Sequence, residues 1–484
     1  MKYLFLLIVL SVSINSFGQI RVTQGNNNAA IEMVKQPVFT SFSSPNNNYF
    51  VTCHTDNFQQ INNLVITDKG GNIVIAKNIS LSMGMTNNSY DVKNLLVVGY
   101  TPLLFVQHRT KADGKNAFTA RVIDQYGNIG AEELPIASMN YTKWSNAGDW
   151  YSALTPDKKH VAVIAKAPYE KGQPNNFSFY ILDEQLQVIN KGQFNFTAAN
   201  GKEIRVSDFL ASDKGDLYII AEDFDKSYKY PILYQYSASG IATTTPVTIT
   251  ESGLKNFNYI SQITPTGDLL LAGYMQKKES FSMGDTKSVG TWIFNSSKPS
   301  EVKTSMFDKP ITNATARNIV YNGDTFFLVG EQYKATAAEN TTTGMSTLSM
   351  TDPVYDYQHG DVLVTGFAID GTRKYDVSSP RIWNAKNFDQ DLMIASGIIN
   401  NKLVLVYNDQ CGKYVDDIYR RNHKLAVAVT VNNNGLMEAP QPFVKDFDFT
   451  YDRLRLYPQF FNADNNKLML LYGNPEGTKV VTFQ

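Results

Sequence analysis

The sequence predicts an all-β protein built as a single β-propeller of eight four-stranded blades. Three observations carry that reading. A polar turn followed by a short apolar run occurs eight times, a second strand with its own polar turn follows seven of them, and the chain supplies only three strands to its eighth unit.

The apolar runs align on Phe50, Leu103, Val161, Leu217, Leu269, Phe326, Leu403 and Leu468, at spacings of 53, 58, 56, 52, 57, 77 and 65 residues. Turn formers precede each one, as in Pro45-Asn46-Asn47-Asn48, Pro156-Asp157-Lys158-Lys159 and Pro265-Thr266-Gly267-Asp268. Runs of four to six residues between such turns are too short for helices, and their β-branched and aromatic content fits strands buried on both faces. We call this second strand of each unit strand B.

The strands that follow are Asn63 to Thr67, Ala120 to Ile123, Phe177 to Leu182, Ile232 to Tyr236, Thr291 to Phe294, Val362 to Ile369 and Leu425 to Val431. Their turns use Asp, Asn and Gly, which tolerate positive φ or bond their own backbone. The eighth unit ends on Lys479 to Gln484 and needs an outer strand from elsewhere. The segment Ala30 to Lys35 is the expected donor, so that an N-terminal strand completes the C-terminal blade, covers its open edge and closes the circle. Seven blades is the alternative if the second or seventh unit is an irregular insertion. Two β-sandwiches would give the same composition without requiring the ends to meet.

The 484 residues are 43% hydrophobic and carry 44 basic against 45 acidic side chains. A formal charge of −1 excludes the electrostatic footprint of a nucleic-acid binder or of a protein held on anionic lipid. Lys2, the apolar run Tyr3 to Leu10 and the small polar stretch to Gly18 read as a signal peptide over residues 1–18, leaving a propeller domain over 19–484 and an exported chain, periplasmic or extracellular. No later stretch approaches the roughly 20 apolar residues of a membrane helix, so no membrane insertion is expected. Cys53 and Cys411 fall on non-neighbouring units and are expected as thiols.

In such a meander the A-to-B and C-to-D turns share one face and are tight. The B-to-C connections (Lys166 to Asn176, Glu222 to Tyr230, Tyr274 to Ser288, Gly330 to Gly360, Tyr407 to His423) and the links between units (Ala137 to Tyr151, Ser378 to Leu392, Lys445 to Gln459) share the other face and are long. Long connections nominate that face for function. Residues 330–360 stand out as a loop insertion in the sixth unit, with Lys334 to Ser349 expected to be mobile. The aromatics near these connections, Trp144, Trp150, Tyr169, Tyr228, Tyr274, Tyr355, Tyr357, Trp383 and Tyr414, are the candidate binding residues. Flat apolar area with a polar edge suits sugar rings and peptide side chains, although propellers also place large aromatics between blades.

No catalytic residue is assigned. The nucleophile pattern G-x-S-x-G is missing, since Gly344-Met345-Ser346 is followed by Leu348 at its fifth position, and the phosphate-cradling and dinucleotide glycine patterns are missing too. The histidines at 54, 108, 160, 359 and 423 have no preformed metal-ligand spacing, and Asp223-Phe224-Asp225 and Asp446-Phe447-Asp448 do not continue as calcium loops, so no metal and no cofactor is expected. Carboxylates expected on the nominated face are Glu170, Glu222, Asp223, Asp225, Glu279 and Glu331.

The Gly18-Gln19 end of the signal peptide and the loosely repeated blade resemble the uncharacterised secreted β-propeller proteins of Bacteroidota. The chain lacks the Trp-Asp ends of WD40 blades, the paired glycines of kelch and the S-x-D-x-G-x-x-W boxes of sialidases, so no functional residue carries over from those families. The last blade is expected to run to Gln484, and no C-terminal sorting domain is expected. The expected function is a binding or scaffold module that presents its long-loop face to a protein or glycan of the cell envelope. The alternative is a polysaccharide-active lyase or hydrolase with acids at the channel mouth, for which an acid and its partner must stand about 5 to 9.5 Å apart.

Overall fold

Each of the eight predicted apolar runs is strand B of its own antiparallel sheet: Tyr49–Thr55, Thr101–Thr110, Val161–Lys166, Leu217–Asp225, Leu269–Lys277, Thr325–Ala337, Lys402–Gln410 and Lys467–Asn474. The computed structural model describes residues 22–24, 40–44, 49–55, 61–67, 72–80, 88–99, 101–124, 126–198, 201–225, 228–251, 253–277, 285–337, 355–381, 383–386, 394–414, 424–442, 455–456, 461–464, 467–474 and 477–484. Among these residues the chain is all-β apart from the single 3-10 turn Cys411–Lys413, and no helix is long and apolar enough to cross a membrane.

Sheets one to seven pair their strands in chain order, A to B to C to D, with one added strand in sheet six. Sheet eight differs. Its strand B pairs with Gly477–Phe483, whose other edge takes Val22–Gln24 in the register Val22↔Phe483, Thr23↔Thr482 and Gln24↔Val481. The two ends of the described chain therefore share a sheet. The strand that pairs is Val22–Gln24; the expected donor, Ala30 to Lys35, lies outside the described residues.

The first strands of successive sheets touch in sequence: Thr40–Ser44, Asn88–Val98, Asp149–Leu154, Val206–Ala211, Leu254–Ile263, Ala314–Asn322 and Ala395–Ile399. The seventh of these touches strand B of sheet eight, and Phe461–Asp464 of sheet eight touches Thr40–Ser44 of sheet one. An apolar cluster fills each interface from sheets one and two to sheets seven and eight. Strand B of sheet three shows why its sequence reads as a continuous apolar run. All six residues from Val161 to Lys166 are buried, because one face packs on sheet two and the other on sheet four. Removing that apolar area from water is worth about 25 cal/mol per Å², so these strands anchor the interfaces.

The C-to-D turns form as their residues dictate. Asp183 accepts hydrogen bonds from the backbone N–H groups of Gln185 and Gln187, and Asn432 does the same for Asn434 and Leu436. Gly371 and Gly435 adopt φ of 86° and 83°, a conformation an L side chain resists.

The B-to-C connections differ most from expectation. Glu222 to Asp225 and Tyr228 to Tyr230 are strand, since Glu222↔Pro231 through Asp225↔Tyr228 are ladder pairs of a long hairpin; 226–227 lies outside the described residues. In sheet six the ladder likewise runs on through Tyr333↔His359 to Ala337↔Tyr355. The predicted insertion 330–360 is thus strand at both ends, and 338–354 lies outside the described residues. Trp383–Lys386, expected within a connection, pairs with the extended strand C as the added fifth strand. Backbone pairing absorbs residues that composition alone assigns to loops.

Candidate functional site

Sheet six carries a buried carboxylate at the point where its hairpin leaves the apolar core. Glu331 follows Phe326 to Gly330 on strand B and is fully buried. A bulge between Glu331 and Tyr333 sets Glu331 opposite Val362 and Tyr333 opposite His359, leaving Gln332 facing Gly360 and Asp361. Bulges re-aim side chains in this way beside many functional sites.

Three groups converge on this carboxylate. Arg317 Nε donates to Glu331 Oε1 at 2.5 Å, the Arg381 guanidinium pairs with Oε2, and His359 Nδ1 lies 2.9 Å from Oε2. Arg381 is itself fully buried, and its Nε also donates to the Gly360 carbonyl at 3.1 Å. Burial alone would push the Glu331 carboxyl up. The charges of Arg381 and Arg317, with the hydrogen bond from His359, outweigh it and hold the group well below the usual carboxylate range. A carboxylate held this way is a fixed anion that organises its surroundings.

The cluster continues into sheet seven. Arg381 lies 5.6 Å from the centre of the Tyr407 ring, and the Tyr407 and Ser379 hydroxyls are 2.6 Å apart. Burial, partly offset by that hydrogen bond, pushes the Tyr407 phenol up to about 12. Beyond it, buried Asp409 accepts from Tyr414 Oη at 2.8 Å and from Lys413 Nζ at 3.0 Å. On the other flank Arg317 sits 4.7 Å over Tyr333, which stacks on Tyr357 with centroids 6.3 Å apart.

Beside this cluster, between sheets five and six, opens a cavity of about 500 Å³. Two irregularities shape it. The outer strand of sheet five holds residues 307–310 between the pairs Ser288↔Ile311 and Gly290↔Met306, so four residues bulge against Val289 alone. Pro310, which has no N–H to donate, suits such a bulge. The second irregularity is the Gln332 bulge of sheet six. Tyr274 walls the cavity and is fully buried; a Cβ at Gly330 would stand 2.3 Å from its hydroxyl, so the glycine makes room for the ring. Phe307, Lys309, Gln332, Asp361 and Asp376 are among its other polar and aromatic walls. A second cavity, of about 410 Å³, opens on the same interface near the tight turns and is lined by Thr291, Lys303 and Arg373.

The nine candidate aromatics divide. Trp150 and Tyr274 are interior residues, against expectation. Trp150 stacks on Phe118 at 5.2 Å and donates to Asn116 Oδ1, while Tyr274 is enclosed between sheets five and six. Trp144 is 40% exposed and packs edge-on to Tyr141. Tyr169 is half-buried, and Asn146 bonds both its N–H and its carbonyl, joining the Trp144 and Tyr169 connections. Tyr357 and Tyr414 flank the ionic cluster. Tyr228 and Tyr355 lie on strands and Trp383 on the added fifth strand, with their side chains outside the described residues. Of the candidate acids with described side chains, Glu331 alone enters the cluster; the side chains of Asp223 and Asp225 and the whole of Glu279 lie outside the described residues.

Sequence reasoning missed Arg317, Arg381, Phe307, Lys309, Asp361 and Asp376. One signal was available: Glu331 directly follows a buried apolar run, a place where an acid requires a cationic partner.

Among the described residues, no group of three His, Cys, Asp or Glu is placed to hold a metal ion. Antiparallel four-stranded sheets that succeed one another, with the two ends of the described chain in one of them, are the feature on which the comparisons bear. No protein-family model matches the chain, and no curated protein matches it. Among solved structures it is similar to the β-propeller domain of the Trilobed protease from Pyrococcus furiosus, at 8% identity over 86% of this chain and 98% of that one, with a TM-score of 0.38. It is also similar to the Penicillium chrysogenum α-L-arabinanase complexed with arabinobiose, at 10% identity over 64% and 92% of the two chains and a TM-score of 0.35. A third is prolyl oligopeptidase B from Galerina marginata, at 9% identity and a TM-score of 0.37, where 90% of this chain spans 55% of that one.

Proposed function

We propose that the chain is a closed eight-bladed β-propeller that works as a binding module of the cell envelope, exported and cleaved near Gln19. The contacts running from each first strand to the next, with the pairing of Val22–Gln24 on Gly477–Phe483, support the closed ring. A disulfide between Thr23→Cys and Thr482→Cys tests it. These residues are cross-strand partners, so oxidation should proceed readily and raise Tm; failure to oxidise overturns closure. N-terminal sequencing of the protein recovered from an envelope fraction tests the cleavage.

One observation carries binding over catalysis. Glu331, fully buried among the described acids assigned to the long-loop face, is engaged on both oxygens by Arg317, Arg381 and His359 and held ionised, which leaves it no proton to donate. What the face offers beside it is an open cavity with aromatic and polar walls. A thermal-shift panel of oligosaccharides and peptides, with product analysis of every hit, tests this reading. Stabilisation without turnover supports it, and cleavage of any hit overturns it.

A further inference from the structure

We propose that the second cavity between sheets five and six, the one of about 410 Å³ near the tight turns, binds the acidic group of a sugar, a carboxylate or a phosphate. It stands apart from the Glu331 cluster and from the long-loop face, so its failure leaves the binding-module reading untouched. The charge of its lining carries the argument. Two charged residues line it, Lys303 from sheet five and Arg373 from sheet six; both are cations, and no carboxylate is among its walls. The larger cavity on the same interface mixes Lys309 with Asp361 and Asp376. A site walled by charge of one sign selects a ligand of the other.

Strand register aims both cations at this gap. On sheet five, Lys303 is the cross-strand partner of Ile293, which packs against sheet six, and Ser305 lies two residues on along the same side. On sheet six, a register shift between Gly366↔Tyr375 and Phe367↔Arg373 leaves Lys374 out of the ladder and turns Arg373 to the side of Phe367, which packs against sheet five. At Gly371 a Cβ would stand 3.3 Å from Lys303 Cδ, so the glycine lets the lysine stem lie close over the turn.

Two acids stand nearby, and neither uses up the donors. Asp376 takes Arg373 Nη1 and Thr365 Oγ1, both at 2.8 Å, and a guanidinium has further N–H groups on Nε and Nη2. Lys303 Nζ donates to the Asp370 carbonyl at 2.7 Å and stands 4.0 Å from its carboxylate, which the Thr372 N–H and hydroxyl hold at 2.9 and 3.0 Å. An anion in the gap therefore meets an arginine fork, an ammonium and the Ser305 hydroxyl. The planar fork matches a carboxylate or a phosphate. Buried Ile293 and Phe367 add an apolar floor on which the C–H face of a sugar packs, and the volume lies within the range of small-molecule sites.

The test is isothermal titration calorimetry of the full chain with glucuronate, galacturonate, glucose 6-phosphate and galactose 6-phosphate. Glucose and glucosamine serve as uncharged and cationic controls, and acetate and inorganic phosphate as bare anions. The expected result is binding of at least one sugar acid, weakening as NaCl is raised, with the controls and the bare anions at least roughly tenfold weaker. The uronate and phosphate arms tell which acidic group the site takes. Arg373→Gln and Lys303→Gln should each lose roughly tenfold in affinity at unchanged Tm, since both side chains are partly exposed, whereas Lys374→Gln, its neighbour outside the ladder, should bind as the wild type does. Binding of no sugar acid overturns the inference. So does glucose or a bare anion binding as tightly as the sugar acids, or an affinity indifferent to both Arg373→Gln and Lys303→Gln.

Discussion

Sheets three and six begin from the same four-strand plan and end differently. In sheet three, strand B is buried over its whole length by apolar neighbours, and the one charged group it buries, Lys166, reaches out to a partly exposed Glu203 at 2.5 Å. In sheet six the hairpin extends past the core, gains a fifth strand, and buries Glu331, Arg381 and His359 together. The regular sheet derives its stability from area removed from water. The elaborated sheet spends part of that stability on desolvating charge, which gives orientation more than strength. A chain of repeated units reveals its working part where one unit departs from the others.

The comparison is broken most forcefully at Arg381. Arg381→Leu should destabilise the protein by about 3–5 kcal/mol in urea denaturation, because it leaves Glu331 buried with part of its compensation gone. The double variant Arg381→Leu/Glu331→Leu should recover much of that loss; if it does not, the charges contribute net stability and the contrast with sheet three fails. In sheet three, fully buried Ile164→Ala should cost about 2–5 kcal/mol through lost contacts and a cavity, with no dependence on pH.

At Gly330 the two modes meet. Gly330→Ala places a Cβ within 2.3 Å of the Tyr274 hydroxyl and 2.7 Å of the Thr315 carbonyl, and should cost about 1–3 kcal/mol while constricting the cavity.

Acid separates the sheets further. Glu331 ionises in the folded state well below its ordinary value of 4.5, so its contribution is fully present above that value and is lost as pH falls below it. Tm of the wild type should therefore drop more steeply between pH 4.5 and 3 than that of Glu331→Gln, measured relative to each protein's Tm at pH 7. Parallel profiles would remove Glu331 as the source of acid sensitivity. The smallest effect belongs to Tyr274→Phe, which removes a hydroxyl with no partner among the described residues and should change stability by less than about 1 kcal/mol, in the stabilising direction.

The eight strands B were legible because a strand packed on both faces must be apolar without interruption, and turn chemistry marks where it starts. The C-to-D turns were legible for a similar local reason, as the Asp183 and Asn432 turns show. The hairpin extensions at Glu222 to Tyr230 and Gly330 to Gly360 were not, since polar residues that pair across a ladder have the composition of a loop. Nor were Trp150 and Tyr274 as interior residues, because an aromatic at a strand end has the same sequence neighbours whether it faces water or the next sheet.

By itself the sequence determined the period, the strand type and the number of apolar runs, since each depends on residues adjacent in the chain. The tertiary structure decided that Arg317, Glu331, His359 and Arg381 share one buried point, and that Tyr274 of sheet five and Asp361 of sheet six line one cavity. Those neighbours come from different strands and different sheets. Their proximity depends on bulge register and interface packing, which no local pattern encodes.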